Sequence, residues 1–419
     1  MMDFSGNIFL DTVELTKIDA RELQIGMFVS ELDRPWSATN FLFQGFTLQN
    51  EADIEAVQNQ CDYVYIDVSK QTVIQQPKVR DIVYSRDWLD KREPPKKEAC
   101  FEDEIFNATK VHKRASTVVK NFMQEVALGR GIDVALAKKV VAECVNSVMK
   151  SPDAMMWLTQ LKKHDEYTSQ HSMNVCIFSI TLGRQIALSV PELNNLGLCG
   201  MMHDMGKMRI PLSVLNKPGR LTPKEFQVMN THPTLGWQLL MSSTDMYGGA
   251  IDVAYTHHER LDGKGYPRGL SGEKIGLYTR IVAIVDAYDA ITSDRVYQRG
   301  RTHLEGISIL TKDADTHFDS GLTVKFIECL GIYPPGNLVE MSNGEIAVVI
   351  ESHPQHKLLP KVVFLLDENK QPQTERLVDL AEMDLDHSGQ PYKIKRMVRA
   401  EDYGIDLHAF YHEYLEPDE

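Results

Sequence analysis

His203-Asp204-Met205-Gly206-Lys207 decides how the chain is read, because it follows a segment that is otherwise apolar: Leu196, Leu198, Met201 and Met202. A His beside an Asp sets two groups together that are costly to bury without partners. A metal ion satisfies both, since imidazole nitrogen and carboxylate oxygen are good ligands for Zn, Mn or Fe. The bland alternative is a paired His/Asp on a helix surface, and the neighbouring residues decide between the two.

Working outward, the same region carries more groups of this kind. His171 sits in Tyr167-Thr168-Ser169-Gln170-His171-Ser172, His232 precedes Pro233, and His257-His258 is a tandem pair followed by Glu259. Asp286 lies in the apolar run Arg280-Ile281-Val282-Ala283-Ile284-Val285-Asp286-Ala287, where a carboxylate is expensive unless paired or metal-bound. Each has an ordinary reading on its own: a satisfied core histidine, a surface turn, a half-exposed pair, a carboxylate at a helix N-terminus. Together, five His and two Asp suffice for a two-metal site. An Asp can bridge two ions, and a pair of ions roughly 3.5–4 Å apart suits phosphoester hydrolysis, activating water and stabilising attacking and leaving oxygens. Lys207, four residues after His203, would share its face on a helix and hold a non-bridging phosphate oxygen. Gly206 would permit close approach. The alternative is a solvated lysine at a helix end.

Composition sets the outer limits. The 419 residues are enough for two or three domains. Hydrophobic content of 43% and charged content of 25% indicate a soluble globular chain. The apolar stretch Val175–Leu182 is too short to span a bilayer and is interrupted by Ser179 and Thr181. No signal peptide is expected. Six cysteines (Cys61, Cys100, Cys144, Cys176, Cys199, Cys329) form no C-x-x-C pair, which predicts reduced thiols and a cytoplasmic location. A net charge of −14 argues against duplex nucleic-acid binding but not against an anionic substrate in a metal-lined pocket.

The expected fold class is mainly α: a helical catalytic region preceded by a small α/β domain and followed by a β-rich extension. Residues 1–15 read as a loose start. Residues 16–89 form the α/β domain, with Leu23–Val29 and the aromatic Phe41–Phe46 as apolar runs, Tyr63–Asp67 as a strand and Ala52–Cys61 as a helix. A regulatory or docking role is its functional reading. Residues 90–103, charged and proline-containing, are the linker. In the helical region, 104–332, one helix carries Val111, Val118, Val119, Phe122 and Met123, and Gly129-Arg130-Gly131 breaks it. A second carries Leu136, Val140, Val141, Cys144, Val145 and Val148, and Ser151-Pro152 starts a third with Ser as N-cap. Asp262–Gly269 is too rich in glycine and proline to be helical. In the extension, 333–419, Leu338–Met341, Ile346–Ile350 and Val362–Leu366 read as strands with Ser342-Asn343-Gly344 as a turn. Its histidines (His353, His356, His387, His408, His412) show no ligand spacing and read as surface residues.

His203-Asp204-Met205-Gly206-Lys207, Ile210-Pro211, Leu215-Asn216-Lys217-Pro218-Gly219 and His232-Pro233 resemble the HD-GYP branch of the HD-domain phosphohydrolases. So does His257-His258-Glu259-Arg260-Leu261-Asp262-Gly263-Lys264-Gly265-Tyr266-Pro267. The motifs cover about residues 165 to 300. Leu23–Asp67, with Asp33-Arg34-Pro35-Trp36, looks like the domain of unknown function that precedes many such modules. The resemblance implies hydrolysis of a cyclic dinucleotide, cyclic di-GMP or 3′,3′-cyclic GMP-AMP, to linear dinucleotide or mononucleotides. By position it implies that His171, His203, Asp204 and Asp286 bind one metal, with Asp204 bridging, and that His232, His257 and His258 complete the second. Lys207 and Arg295 would contact phosphate, and Tyr266 is a candidate substrate contact or packing residue. Members with three metals carry Glu four residues before the first ligand His. Here Tyr167 stands there and Glu166 is one place off, so a dinuclear site is expected. Gln298 replaces a basic residue of some members. Thiolate-free ligation suits Fe or Mn, with Zn or Ni as alternatives. Diguanylate cyclase domains are candidate partners through the GYP loop, and the helical linkers are candidates for homodimer contacts. The competing class is a signalling module that binds nucleotide or partners without turnover, and the complete ligand set favours an enzyme.

Overall fold

The computed structural model describes residues 15–35, 39, 45–48, 50–67, 86–161, 167–294, 299–353, 356–382, 385–386 and 389–411. The chain divides into two units, Met1–Arg80 with Gln238–Thr244, and the remainder. Phe41–Gln44, Trp36, His387 and His412 lie outside the described residues, as do Glu166, Arg295 and Gln298 and the side chains of Tyr167 and His408.

In the first unit four strands pair antiparallel with Leu15–Asp19 at one edge, then Tyr63–Asp67, Phe28–Leu32 and Phe46–Thr47. The helix between them runs Glu51–Gln58, because Asn50 and Asp53 cap each other reciprocally at its start. Val29, Val57, Val64 and Leu48 are fully buried and make its small core.

The second unit opens on a stretch that the charge pattern marked as a linker, and here the structure departs from that expectation. The stretch is strapped to the helical body. Glu98 and Ala99 donate backbone N–H to Lys150 O, Arg92 donates to Ala187 O, and Arg184 donates to Pro95 O. Helix Phe101–Ala127 then buries Val118, Val119, Phe122 and Met123, and Leu128 closes it ahead of Gly129. Helix Val134–Lys150 is capped by Asp133 and buries Val140, Val141, Cys144, Val145 and Val148. Helix Pro152–Leu158 follows with Ser151 in extended conformation before it, but the Ser151 hydroxyl makes no capping bond.

The centre of this unit is helix Tyr167–Gln185 packed on helix Val190–Met202, with Leu277–Thr292 against the first and Gly248–Thr256 against the second. The inward residues are apolar: Val175, Ile177, Ile180, Leu196, Ile281 and Ile284 are at or near zero exposure. No helix among the described residues is long and apolar enough to cross a membrane. The six cysteines carry no disulfide.

The extension forms a five-stranded antiparallel sheet in the order Pro372–Asp379, Lys361–Leu366, Ile346–Glu351, Leu338–Met341, Ile394–Val398. Its core is Val339, Met341, Ala347, Val349, Val362 and Phe364, closed by Tyr392. The three central strands are those the apolar runs marked, and the two edge strands were not marked.

Candidate functional site: a buried His/Asp cluster

Most residues of the cluster sit where an element begins, ends or turns. His203 caps the C-terminus of helix Val190–Met202, and Asp204 precedes the 3-10 turn Met205–Arg209. His232 is the first residue of helix His232–Met241, and His257 caps the end of Gly248–Thr256. His171 lies in the first turns of Tyr167–Gln185, and Asp286 in the middle of Leu277–Thr292. The expected helix through Lys207 is not formed. The helix ends at Met202, and Lys207 turns back to Asp204 Oδ2 at 2.5 Å.

Helix ends leave carbonyl groups without partners, and the imidazoles satisfy them. His203 Nδ1 bonds Gly200 O at 2.7 Å, His232 Nδ1 bonds Met229 O at 2.8 Å, and His257 Nδ1 reaches Val253 O and Ala254 O at 3.1 Å. A carbonyl oxygen has no proton to give, so Nδ1 carries the hydrogen and Nε2 presents a lone pair. His171 is fixed in the same tautomer by the Asp289 carboxylate, 2.7 Å from its Nδ1.

The four Nε2 lone pairs converge on Asp204. Its Oδ2 lies 3.4 Å from His171 Nε2 and 3.3 Å from His203 Nε2. Its Oδ1 lies 3.3 Å from His232 Nε2 and 3.8 Å from His257 Nε2. Asp286 Oδ1 stands 3.1 Å from His171 Nε2 and 3.9 Å from His203 Nε2. His258 Nε2 is 3.2 Å from His232 Nε2. All seven residues named from the sequence are therefore brought together.

Two observations show that a cation fits. His203 Nε2 and Asp204 Oδ1 are buried with no hydrogen-bond partner. His232 Nε2 and His257 Nε2 face each other at 3.3 Å, although both rings hold their hydrogen on Nδ1. Two facing lone pairs repel unless a positive centre lies between or beside them. Donor atoms of His171, His203 and Asp286 form one candidate metal group, and those of His232, His257 and His258 another, each within 4.8 Å; Asp204 joins His203 and His257 in a third.

Protonation favours the same reading. Burial pushes the Asp204 carboxyl up, but Lys207, His203 and His171 outweigh it and hold it well below the usual carboxylate range. Burial likewise opposes ionisation of Asp286, and His171 and His203 outweigh it. Burial drives His257 well below its ordinary value and His258 to about 3, reinforced by the neighbouring imidazoles. Carboxylates ionised and imidazoles neutral is the state in which these groups ligate metal.

Three supporting features surround the cluster: Asp289, which the sequence reading did not name; Glu259, which it quoted only as part of a motif; and Gly206, for which it expected close approach. Asp289 accepts from His171 on one oxygen, and from Asn174 Nδ2 at 2.8 Å and Ser293 Oγ at 3.2 Å on the other. Its position three residues after Asp286, on the same helix face, was the available clue. Glu259 is buried and accepts backbone N–H from Arg268 at 2.7 Å and Leu270 at 2.8 Å. That clamps the Gly265-Tyr266-Pro267 loop, and the Tyr266 ring stacks on His258 with centroids 4.8 Å apart. Gly206 packs its backbone against the start of helix His232–Met241: a Cβ there would lie 2.0 Å from His232 O. Close approach at Gly206 thus locks Asp204 against His232.

Arg295 lies outside the described residues. His353 and His356 bond each other at the surface, and neither joins a metal group among the described residues.

Residues 157–322 match the HD domain family. The chain is 37% identical over 369 residues to the cyclic di-GMP phosphodiesterase PA4108 of Pseudomonas aeruginosa, covering 87% of this chain and 89% of that protein. The chain belongs to the HD-GYP family of HD-domain phosphohydrolases. HD-domain phosphohydrolases are metal-dependent enzymes. A second relative, 3′3′-cGAMP-specific phosphodiesterase 3 of Vibrio cholerae, is 30% identical over 168 residues, 40% of this chain and 36% of that protein. Among solved structures, Bd1817, a HDG"Y"P protein from Bdellovibrio bacteriovorus, is 15% identical and covers 75% of this chain and 98% of that one, with a TM-score of 0.41. In this HD-GYP chain, residues 15–137 match a domain of unknown function, DUF3391, and residues 338–385 match a KOW domain associated with HD domains.

Proposed function

We propose that this HD-GYP protein is a phosphodiesterase that hydrolyses a cyclic dinucleotide, cyclic di-GMP or 3′,3′-cyclic GMP-AMP, at a dinuclear metal site. One observation carries the reading: the two oxygens of Asp204 each face a pair of imidazole Nε2 atoms, a bridging arrangement. His171, His203 and Asp286 would complete one metal site and His232, His257 and His258 the other. Absence of thiolate favours Fe or Mn, with Zn and Ni as alternatives. When bound, the ions supply Lewis acidity and lower the pKa of a water molecule.

The chain's own groups do the rest. The tautomers fixed by Gly200, Met229, Val253, Ala254 and Asp289 keep the ligand atoms aimed without reorganisation. Lys207 Nζ, a quarter exposed beside Asp204, is placed to hold a phosphate oxygen, and Arg295 is assigned the same task from the sequence. The Tyr266 ring, backed by His258, offers a flat wall for a base. The products are linear dinucleotide or mononucleotides. Diguanylate cyclase domains docking at the GYP loop, homodimerisation and a cytoplasmic location belong to the same proposal.

The test combines metal analysis with turnover. Purified protein should contain about two Fe or Mn per chain and linearise cyclic di-GMP or 3′,3′-cyclic GMP-AMP. Asp204→Ala should lose both metal groups and turnover together. Metal bound with neither substrate cleaved would replace this reading by the non-catalytic binding module.

A further inference from the structure

A cavity of about 430 Å³ opens between the helical core and the C-terminal sheet. His171 lines it, and so does Asp289, but none of the other six cluster residues does. It is therefore distinct from the space between the metal groups. Its size falls in the range of small-ligand sites, roughly 300–1,000 Å³.

The two walls differ in chemistry. The C-terminal extension supplies Leu338, Met397, Ile405 and Leu407, an apolar face. The core supplies Gln170, Asn174 and Asp289, an amide and carboxylate face. The carboxylates at the mouth are already matched. Asp294 accepts from Gly300 N at 2.6 Å, Glu401 pairs with Arg299 at 3.2 Å, and Asp406 accepts from Ala409 N at 3.2 Å. Arg399 donates to Gly300 O. Arg301, exposed at the rim, makes no ion pair among the described residues. A ligand complementary to this lining has a flat apolar body, a polar edge and one anionic group.

We propose that the cavity is a second ligand site, for a nucleoside monophosphate. Its base lies on Leu338, Met397, Ile405 and Leu407, its polar edge meets Gln170 and Asn174, and its phosphate meets Arg301. The ligand touches Asp289, which holds His171, so occupancy is felt at the metal cluster, and by reciprocity metal is felt at the cavity. A mononucleotide is also the end product of complete cyclic-dinucleotide hydrolysis. That regulatory meaning rests on the function proposed above; binding itself does not.

The test is calorimetric binding of GMP, adenosine and inorganic phosphate to the full-length, metal-loaded protein. It is repeated on Asp204→Ala, Arg301→Gln and Met397→Trp, with melting temperatures recorded for each. The expected result is one GMP site that survives Asp204→Ala and weakens at least tenfold in Arg301→Gln and in Met397→Trp. Cyclic di-GMP turnover in Arg301→Gln without GMP should stay within twofold of the parent. GMP binding lost with Asp204→Ala and unchanged in a normally melting Arg301→Gln would place it in the catalytic site and overturn the proposal. Inorganic phosphate binding as tightly as GMP would overturn the nucleotide assignment. Failure of the phosphodiesterase reading would appear separately, as absent turnover with GMP binding intact.

Discussion

Asp289 acts on the cluster through His171 and decides what that imidazole can do. Its Oδ2 accepts the Nδ1 hydrogen of His171, which leaves a lone pair on Nε2, 3.1 Å from Asp286 Oδ1 and available to a metal ion. Asn174 and Ser293 hold the other oxygen, so the carboxylate is fixed before the imidazole is. Partners of this kind are worth roughly 10–100-fold in metal affinity. Asp289→Ala should therefore weaken metal retention by about that factor in a chelator competition. Unchanged retention would show that the helix alone orients His171. At this scale the sequence was informative, because chemistry-bearing residue types are rare enough for five histidines and two aspartates to stand out. Glu259 and Asp289 were obscured for the opposite reason. A lone carboxylate in sequence looks the same whether it clamps a loop, orients a ring or faces water.

Among elements, legibility followed burial. Leu338–Met341, Ile346–Glu351 and Lys361–Leu366 are interior strands whose residues are nearly all buried, and their apolar runs marked them. Pro372–Asp379 and Ile394–Val398 are the two edges of that sheet. Edge strands carry charge as protection against further pairing, and here Glu375, Arg376, Lys395 and Arg396 conceal any alternating pattern. The turn Met205–Arg209 was hidden differently, since Gly206 fits helix or turn until the backbone of His232 is brought against it. The GYP loop is the element where this matters for function. Glu259 gives one oxygen to Arg268 N–H and the other to Leu270 N–H. Glu259→Gln keeps one acceptor and turns an amide N–H toward a backbone N–H, at about 1–3 kcal/mol for an unmet buried group. The loop should loosen and carry Tyr266 off His258. KM for the cyclic dinucleotide should rise severalfold, amide exchange over 263–270 should quicken, and metal content should hold. Unaltered exchange with a raised KM would place Glu259 in direct substrate contact instead.

At the scale of the whole second unit, one buried carboxylate joins three segments that lie far apart in sequence. Asp153, at the start of helix Pro152–Leu158, is about 1% exposed. One of its oxygens takes Lys97 Nζ from the strap, and the other takes Ser352 Oγ at 2.9 Å, just past the end of the central strand Ile346–Glu351 of the extension. Lys97 also reaches Glu351 Oε1 at 3.0 Å. Strap, helical core and C-terminal sheet thus share a single ion-pair network, and Trp157 adds an aromatic seam with Phe410 and Tyr411. Burial pushes the Lys97 ammonium down, but Asp153 and Glu351 outweigh it and raise its pKa above the usual 10.5. A raised lysine pKa adds stability that is complete at neutral pH and fades only as pH climbs past that value. Removing one partner of a fully buried pair costs about 3–5 kcal/mol, and the partial exposure of Lys97 brings this nearer about 2 kcal/mol. Lys97→Met should therefore lower stability at pH 7 by about that amount in denaturant titration. The gap from the parent should narrow above the ordinary lysine pKa, where the parent loses the same charge. If the gap instead stayed constant to high pH, the packing of the Lys97 stem, not its ion pairs, would be what holds the strap to the sheet.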